Sequence, residues 1–180
     1  FFISNAGDAK DQENKIVPFD RTIIKKVPLT FSQERLWFID RMDGSKQYHL
    51  PAILRLKGKI NKEALEYSLK NIVNRHEILR TVILEDGGAG YQLVKEKDFW
   101  KLQIIDGSQY TDNPERLRSY IRELLDVPFV LSEDYMLRAQ LIKIDTDEHI
   151  LVLTMHHIAS DGWSTSIIVK ELAEFYRSFE

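Results

Sequence analysis

The sequence predicts an α+β fold, a two-layer sandwich of helices on sheet, and three observations carry that prediction. Helix-period and strand-period segments are mixed without the strict strand–helix–strand alternation of a parallel sheet. Leu137 to Ile144 and His149 to His157 are apolar runs joined by the polar turn Asp145-Thr146-Asp147-Glu148, which reads as an antiparallel hairpin with buried faces. The second run ends in Met155-His156-His157-Ile158-Ala159-Ser160-Asp161-Gly162-Trp163-Ser164, so polar groups sit where a strand gives way to a helix. Polar groups at the end of so apolar a run are hydrogen-bonded or functional.

Composition narrows the class. The 180 residues are 43% hydrophobic and 29% charged, enough for one domain with a real core. A net charge of −3 gives no electrostatic case for nucleic acid or an anionic membrane. Cysteine is absent, which excludes disulfides, a thiolate metal site and a cysteine nucleophile. No apolar run approaches the roughly 20 residues of a membrane helix. Phe1-Phe2-Ile3 lacks the charged start and long apolar centre of a signal peptide. A cytoplasmic protein is the default, and the Phe-Phe-Ile start suggests a piece cut from something larger.

The elements follow in order. Residues 1–26 are polar and irregular and read as a linker or leader, with 27–180 as the folded unit. Thr30 and Gln33 have capping-box spacing, and a helix runs to Met42 before Asp43-Gly44-Ser45 ends it. Trp37 and Phe38 are expected in the core. Tyr48 to Lys57 alternates as a strand, with Ala52, Leu54 and Leu56 on one face and Pro51 marking an edge or bulge. Asn61 caps a long helix carrying Leu65, Leu69, Ile72, Val73 and His76 on one side. A strand from Thr81 leaves that helix directly.

Gly87-Gly88-Ala89-Gly90 lacks the lysine and setting of a phosphate loop and reads as a hairpin turn, with Tyr91 to Val94 following. Trp100 to Ile105 is a further strand. Asn113-Pro114 opens a helix with Leu117, Ile121, Leu124 and Leu125 inward, stopped by Val127-Pro128. Trp163 to Glu180 is the last helix, presenting Ile167, Ile168, Leu172, Phe175 and Tyr176.

The turn after the apolar run carries the chemistry. Successive strand side chains face opposite ways, so His157 shares a face with Met155 and His156 with Thr154. Adjacent strand histidines grip one ion poorly, and a metal site is not expected. One histidine locks the turn through hydrogen bonds and the other faces an opening, where imidazole is suited to move a proton near neutral pH. Asp161 is either the N-cap of the last helix or a buried carboxylate that needs a cation. Gly162 permits a positive φ or a close approach by substrate. Spacing alone does not choose among these.

Met155-His156-His157-x-x-Ser160-Asp161-Gly162-Trp163-Ser164 closely resembles the HHxxxDG motif of condensation domains from nonribosomal peptide synthetases, which belong to the superfamily of chloramphenicol acetyltransferase. Thr30-Phe31-Ser32-Gln33-Glu34-Arg35-Leu36-Trp37-Phe38-Ile39 is similar to the family's SxAQxRLWxL pattern, with Thr30 and Ser32 in place of Ser and Ala. Arg75-His76-Glu77-Ile78-Leu79-Arg80-Thr81 resembles RHExLRTxF, with Ile83 in place of the phenylalanine. Ala159 stands where a larger aliphatic is common. The motif keeps its histidines, unlike the aspartate-based cyclising variant.

The resemblance implies a chloramphenicol acetyltransferase-like fold. In the family two similar lobes form a V with the active site between them, and this chain corresponds to the N-terminal lobe. It implies amide-bond formation, with an acceptor amine attacking a carrier-bound aminoacyl or peptidyl thioester. His157 would contact the reacting amine, as base or positioner. His156, Asp161 and Gly162 would support the site, with Arg80 the candidate partner of Asp161. No cofactor is implied for the lobe itself, since the substrates ride on 4'-phosphopantetheine of upstream and downstream carrier domains. An adenylation domain and the C-terminal lobe are further expected partners, and residues 1–26 would follow an upstream carrier domain. The lobe alone is expected to be inactive. Three alternatives stay open: an epimerisation domain, another HHxxxDG acyltransferase acting on a soluble thioester, and a non-catalytic carrier-docking lobe.

Overall fold

In the computed structural model residues 26–179 are described; the predicted linker over 1–26 lies almost wholly outside them. Among the described residues β1 (Val27–Pro28) leads into α1 (Phe31–Asp43), followed by a 3-10 turn at Lys46–Tyr48 and β2 (His49–Lys57). Then come α2 (Lys62–Arg75), a 3-10 turn at Glu77–Arg80, and β3 (Thr81–Asp86) with β4 (Ala89–Val94). The second half holds β5 (Gln103–Asp106), α3 (Pro114–Asp126), β6 (Leu137–Asp145), β7 (Glu148–His156) and α4 (Gly162–Phe179).

The strands form a small sheet ordered β1-β4-β3 and a main sheet ordered β2-β7-β6-β5. Only the β5–β6 pair of the main sheet is parallel. The mixed α+β class read from the sequence holds. α2 and α4 cover one face of the main sheet, where Leu65, Leu69, Leu141, Leu151, Leu153, Met155 and Leu172 pack together. α3 covers the opposite face, with Ile121 against Ile142, Ile144, Ile150 and Val152. β7 is therefore buried on both sides, which explains its unbroken apolar run. No helix among the described residues is long and apolar enough to cross a membrane.

Local signals work as read at most boundaries. Thr30 Oγ1 accepts from Gln33 N while Thr30 N donates to Gln33 Oε1, a complete capping box. Asn61 Oδ1 accepts from Glu63 N and Ala64 N, and Asn113 Oδ1 accepts from Arg116 N. The β3–β4 turn is Gly87–Gly88, with φ of 60° and 85°, the both-positive geometry of the tightest hairpin loop. Pro51 lies on β2, an edge strand, where its missing N–H disrupts no ladder.

Three expectations fail. Phe38 is 61% exposed, so its core reading fails, whereas Trp37 is half-buried and packs with Leu36 against the cluster that holds Leu29 and Ile158. The strand expected from Trp100 begins at Gln103; Trp100 is buried by its indole N–H donating to Leu137 O at 2.8 Å, a contact that needs no strand. A 3-10 turn, rather than a direct join, links α2 to β3.

Candidate active site

The motif spans the end of β7, a turn, and the start of α4. His156 is fully buried, on the face that looks toward α3. Its Nδ1 accepts from Ile158 N at 3.0 Å, and its Nε2 lies 2.8 Å from Ser45 Oγ. Ser45 Oγ donates its own proton to Asp40 Oδ1, so Nε2 carries the imidazole proton and donates to Ser45. Its carbonyl accepts from Ala159 N at 3.0 Å and Ser160 Oγ at 2.9 Å, which closes the turn. Burial, aided by His49, His157 and Arg138, pushes the His156 pKa down to about 4. The ring is neutral at physiological pH and fixed in one tautomer.

His157 points the other way. Its N–H donates to Tyr48 O at 2.9 Å, which prolongs the β2–β7 contact by one residue, and its side chain is exposed. The imidazole meets Tyr48 edge-on at 6.5 Å and makes no hydrogen bond among the described residues. The same backbone that buries one imidazole thus delivers the next to the surface with both nitrogens open.

Asp161 is exposed and caps α4. Its Oδ1 accepts from Ser164 Oγ at 2.8 Å, Ser164 N at 3.0 Å and Trp163 N at 3.1 Å, while Asp161 N donates back to Ser164 Oγ. The Ser164 hydroxyl and amide, with Trp163 N and nearby His157, hold the carboxyl below the usual carboxylate range. Of the two roles open for Asp161, the N-cap is the one seen. The expected Arg80–Asp161 pair is absent. Arg80 is buried, donates through Nη1 to Lys95 O, and reaches Glu77 Oε1 through Nη2 at 3.1 Å. It ties the α2–β3 junction to the end of β4, because the 3-10 turn directs its side chain there. Gly162 is the first residue of α4, its φ is not positive, and nothing stands within 4 Å of where a Cβ would be. The positive-φ reading falls; open space remains.

A crevice of about 80 Å³ beside the turn is lined by His76, Ile78, Met155, Ala159, Ser160 and Ile167. That is well below the roughly 300 Å³ at which small-molecule pockets begin. His157 does not line this crevice; its imidazole is exposed on the surface beside the turn.

The Condensation domain family matches residues 23–180. The chain belongs to this family. One of the linear gramicidin synthase proteins of Brevibacillus parabrevis is 38% identical over 184 residues, covering 99% of this chain and 4% of that protein. Beauvericin nonribosomal cyclodepsipeptide synthetase of Beauveria bassiana is 38% identical over 154 residues, 83% of this chain and 5% of that one. The chain is thus a small fraction of the length of the curated relatives it matches. Among solved structures, the X-domain from teicoplanin biosynthesis is 30% identical with a TM-score of 0.78, over 90% of this chain and 34% of that chain. The starter condensation domain of rhizomide synthetase, at 18% identity and a TM-score of 0.76 over 86% of this chain and 38% of that one, shares the fold.

Around the condensation motif, sequence reasoning missed Ser45, His49, Phe129 and Arg138. The Phe129 ring meets His49 edge-on at 5.0 Å and His156 at 5.5 Å, and the Arg138 guanidinium carbon sits 3.8 Å from the Phe129 ring centroid. None of them adjoins the motif in sequence. Ser45 had one visible signal, its place straight after the Gly44 that ends α1, but that signal speaks for a turn and not for a partner.

Proposed function

We propose that this chain is the N-terminal lobe of a condensation domain that forms amide bonds within a nonribosomal peptide synthetase. The observation that carries the reading is the division of labour at the strand end: His156 is buried, neutral and locked, and His157 is exposed with a free ring. In the reaction the acceptor α-amine attacks the donor thioester carbonyl, the C–N bond forms, the C–S bond breaks, and the amine proton ends on the departing pantetheine sulfur. His157 is the group that meets the amine, as proton carrier or as positioner. His156 holds the turn, Asp161 sets the start of α4, and the open space at Gly162 admits a pantetheine arm. Arg80 supports the site by fixing the α2–β3 junction.

On this reading the lobe binds no cofactor of its own, and both substrates arrive on 4'-phosphopantetheine of carrier domains. A second lobe supplies the opposite wall of the site, adenylation domains load the carriers, and the synthetase is cytoplasmic. Residues 1–26 would connect an upstream carrier domain to the lobe.

The test is His157→Ala in the complete two-lobed domain. The exposed side chain predicts stability unchanged within about 0.5 kcal/mol and amide formation abolished. Near-normal condensation by that variant would refute the catalytic role. A docking lobe is the second reading, favoured by the match to a solved complex of the X-domain and OxyB at 31% identity and a TM-score of 0.76. It predicts carrier binding without turnover by the intact domain.

A further inference from the structure

One side chain behind the motif carries a cation that nothing in the condensation chemistry requires. Arg138 lies on β6, directly across from Thr154 of β7, two residues before the buried histidine. Its Nη1 donates to Pro128 O at 3.1 Å and its Nη2 to Val127 O at 2.5 Å, the first carbonyls after α3 ends. Its central carbon lies over the Phe129 ring, 3.8 Å from the centroid. No carboxylate among the described residues is in ion-pair contact with it, and its Nε is buried without a partner. Burial lowers the pKa of this half-buried guanidinium, and the Asp134 carboxylate, beyond ion-pair contact, offsets only part of that cost. What the guanidinium does have is two backbone carbonyls held by its two Nη groups and an aromatic ring 3.8 Å from its central carbon.

That geometry ends at the motif. Phe129 is 3% exposed and its ring packs edge-on against both His156 and His49. His49 in turn donates through Nδ1 to Leu125 O at 2.9 Å, so the same helix end is tied a second time. The hydrogen bonds to Ser45 and Ile158 hold the edges of the His156 ring but leave its tilt to the packing. Phe129 supplies that packing, and Arg138 holds Phe129.

We propose that Arg138 is a positioning residue for the motif histidines, acting through Phe129 to fix the His156 ring and, with it, the turn that presents His157. The catalytic half of this statement rests on the condensation reading; the geometric half does not.

Two measurements separate those halves. The first is nitrogen-15 NMR of the histidine rings in the 180-residue chain. The native protein should show His156 as one tautomer with the proton on Nε2 and one sharp set of ring resonances, and Arg138→Met and Phe129→Leu, by freeing the ring's tilt, should each split or broaden that set. The second is condensation by the complete domain below its melting temperature. Both variants should lose at least tenfold in kcat while KM for the carrier-bound substrates stays within twofold, and Arg138→Lys, which keeps the charge and loses the planar grip, should fall between. Leu65→Ala, which destabilises the opposite face of the sheet, should leave kcat unchanged. Phe129→Leu stands in if Arg138→Met does not fold.

A single sharp set of His156 ring resonances in both variants overturns the proposal. So does native kcat alongside an altered His156 spectrum, and so does a kcat loss matched by Leu65→Ala. A native domain that makes no amide refutes the condensation reading instead, and the NMR arm still decides the role of Arg138.

Discussion

His156 Nε2 donates to Ser45 Oγ at 2.8 Å across 111 residues of sequence, and Ser45 passes the interaction on to Asp40 at the end of α1. The C-terminus of the first helix is thereby bonded to the buried histidine of the motif. Ser45 is 2% exposed, so no solvent replaces its hydroxyl. Ser45→Ala leaves a buried imidazole N–H without an acceptor and should cost about 1–3 kcal/mol. Urea unfolding of the variant reads this directly, and a midpoint equal to that of the native chain would contradict it.

Acid should loosen the fold through the same histidine. An unfolded chain protonates His156 near pH 6.5, whereas in the fold burial holds its pKa down at about 4. Between those values the unfolded state binds more protons, so stability falls as pH drops through the window and is complete above it. At roughly 1.4 kcal/mol per pH unit the full loss is about 3 kcal/mol. His49 and His149, also lowered by burial, act in the same direction. Unfolding free energies at pH 7, 6 and 5 should decline, and His156→Asn should flatten the slope.

The split between the two histidines was legible because strand parity is a local rule: if the apolar run is a strand, neighbours must face opposite ways. Helix caps at Thr30, Asn61 and Asn113 were legible for the same reason, each needing only residues two or three positions away. What packs on His156 was not. Ser45, His49 and Phe129 come from three separate segments, brought together by the register that sets His49 opposite His156. Trp100 misled in the opposite way, since a buried aromatic in an alternating stretch mimics strand periodicity while belonging to a loop. Arg80 shows the limit of pairing by charge. The resemblance implies Asp161 as its carboxylate, whereas the 3-10 turn at Glu77–Arg80 directs the guanidinium to the Glu77 carboxylate and Lys95 O.

Asp161 offers a sharp contrast between two kinds of aspartate. A buried ion pair, once broken, leaves an uncompensated charge and unfolds many domains. An exposed N-cap leaves only a frayed first turn. Because its side-chain hydrogen-bond partners among the described residues are Ser164 and Trp163, both in the first turn of α4, Asp161→Ala should lower the melting temperature by only a few degrees, less than Ser45→Ala. Asp161→Asn, which still accepts those bonds, should lose less again. Thermal melts of the three variants give the ranking, and an unfolded Asp161→Ala protein would restore the ion-pair reading.

Gly162 separates fold from function most cleanly. Its φ is not positive and no atom lies within 4 Å of an added Cβ, so neither backbone strain nor a clash opposes alanine. As the first residue of α4 it would even gain helix propensity, a few tenths to 1 kcal/mol in favour of the variant. Thermal melting of Gly162→Ala should therefore match or exceed that of the native chain. If the open space beside it admits a pantetheine arm, the same methyl group should raise KM for carrier-bound substrates in the complete domain and leave the fold untouched. Native kinetics in a stable Gly162→Ala domain would place the arm elsewhere along the wall.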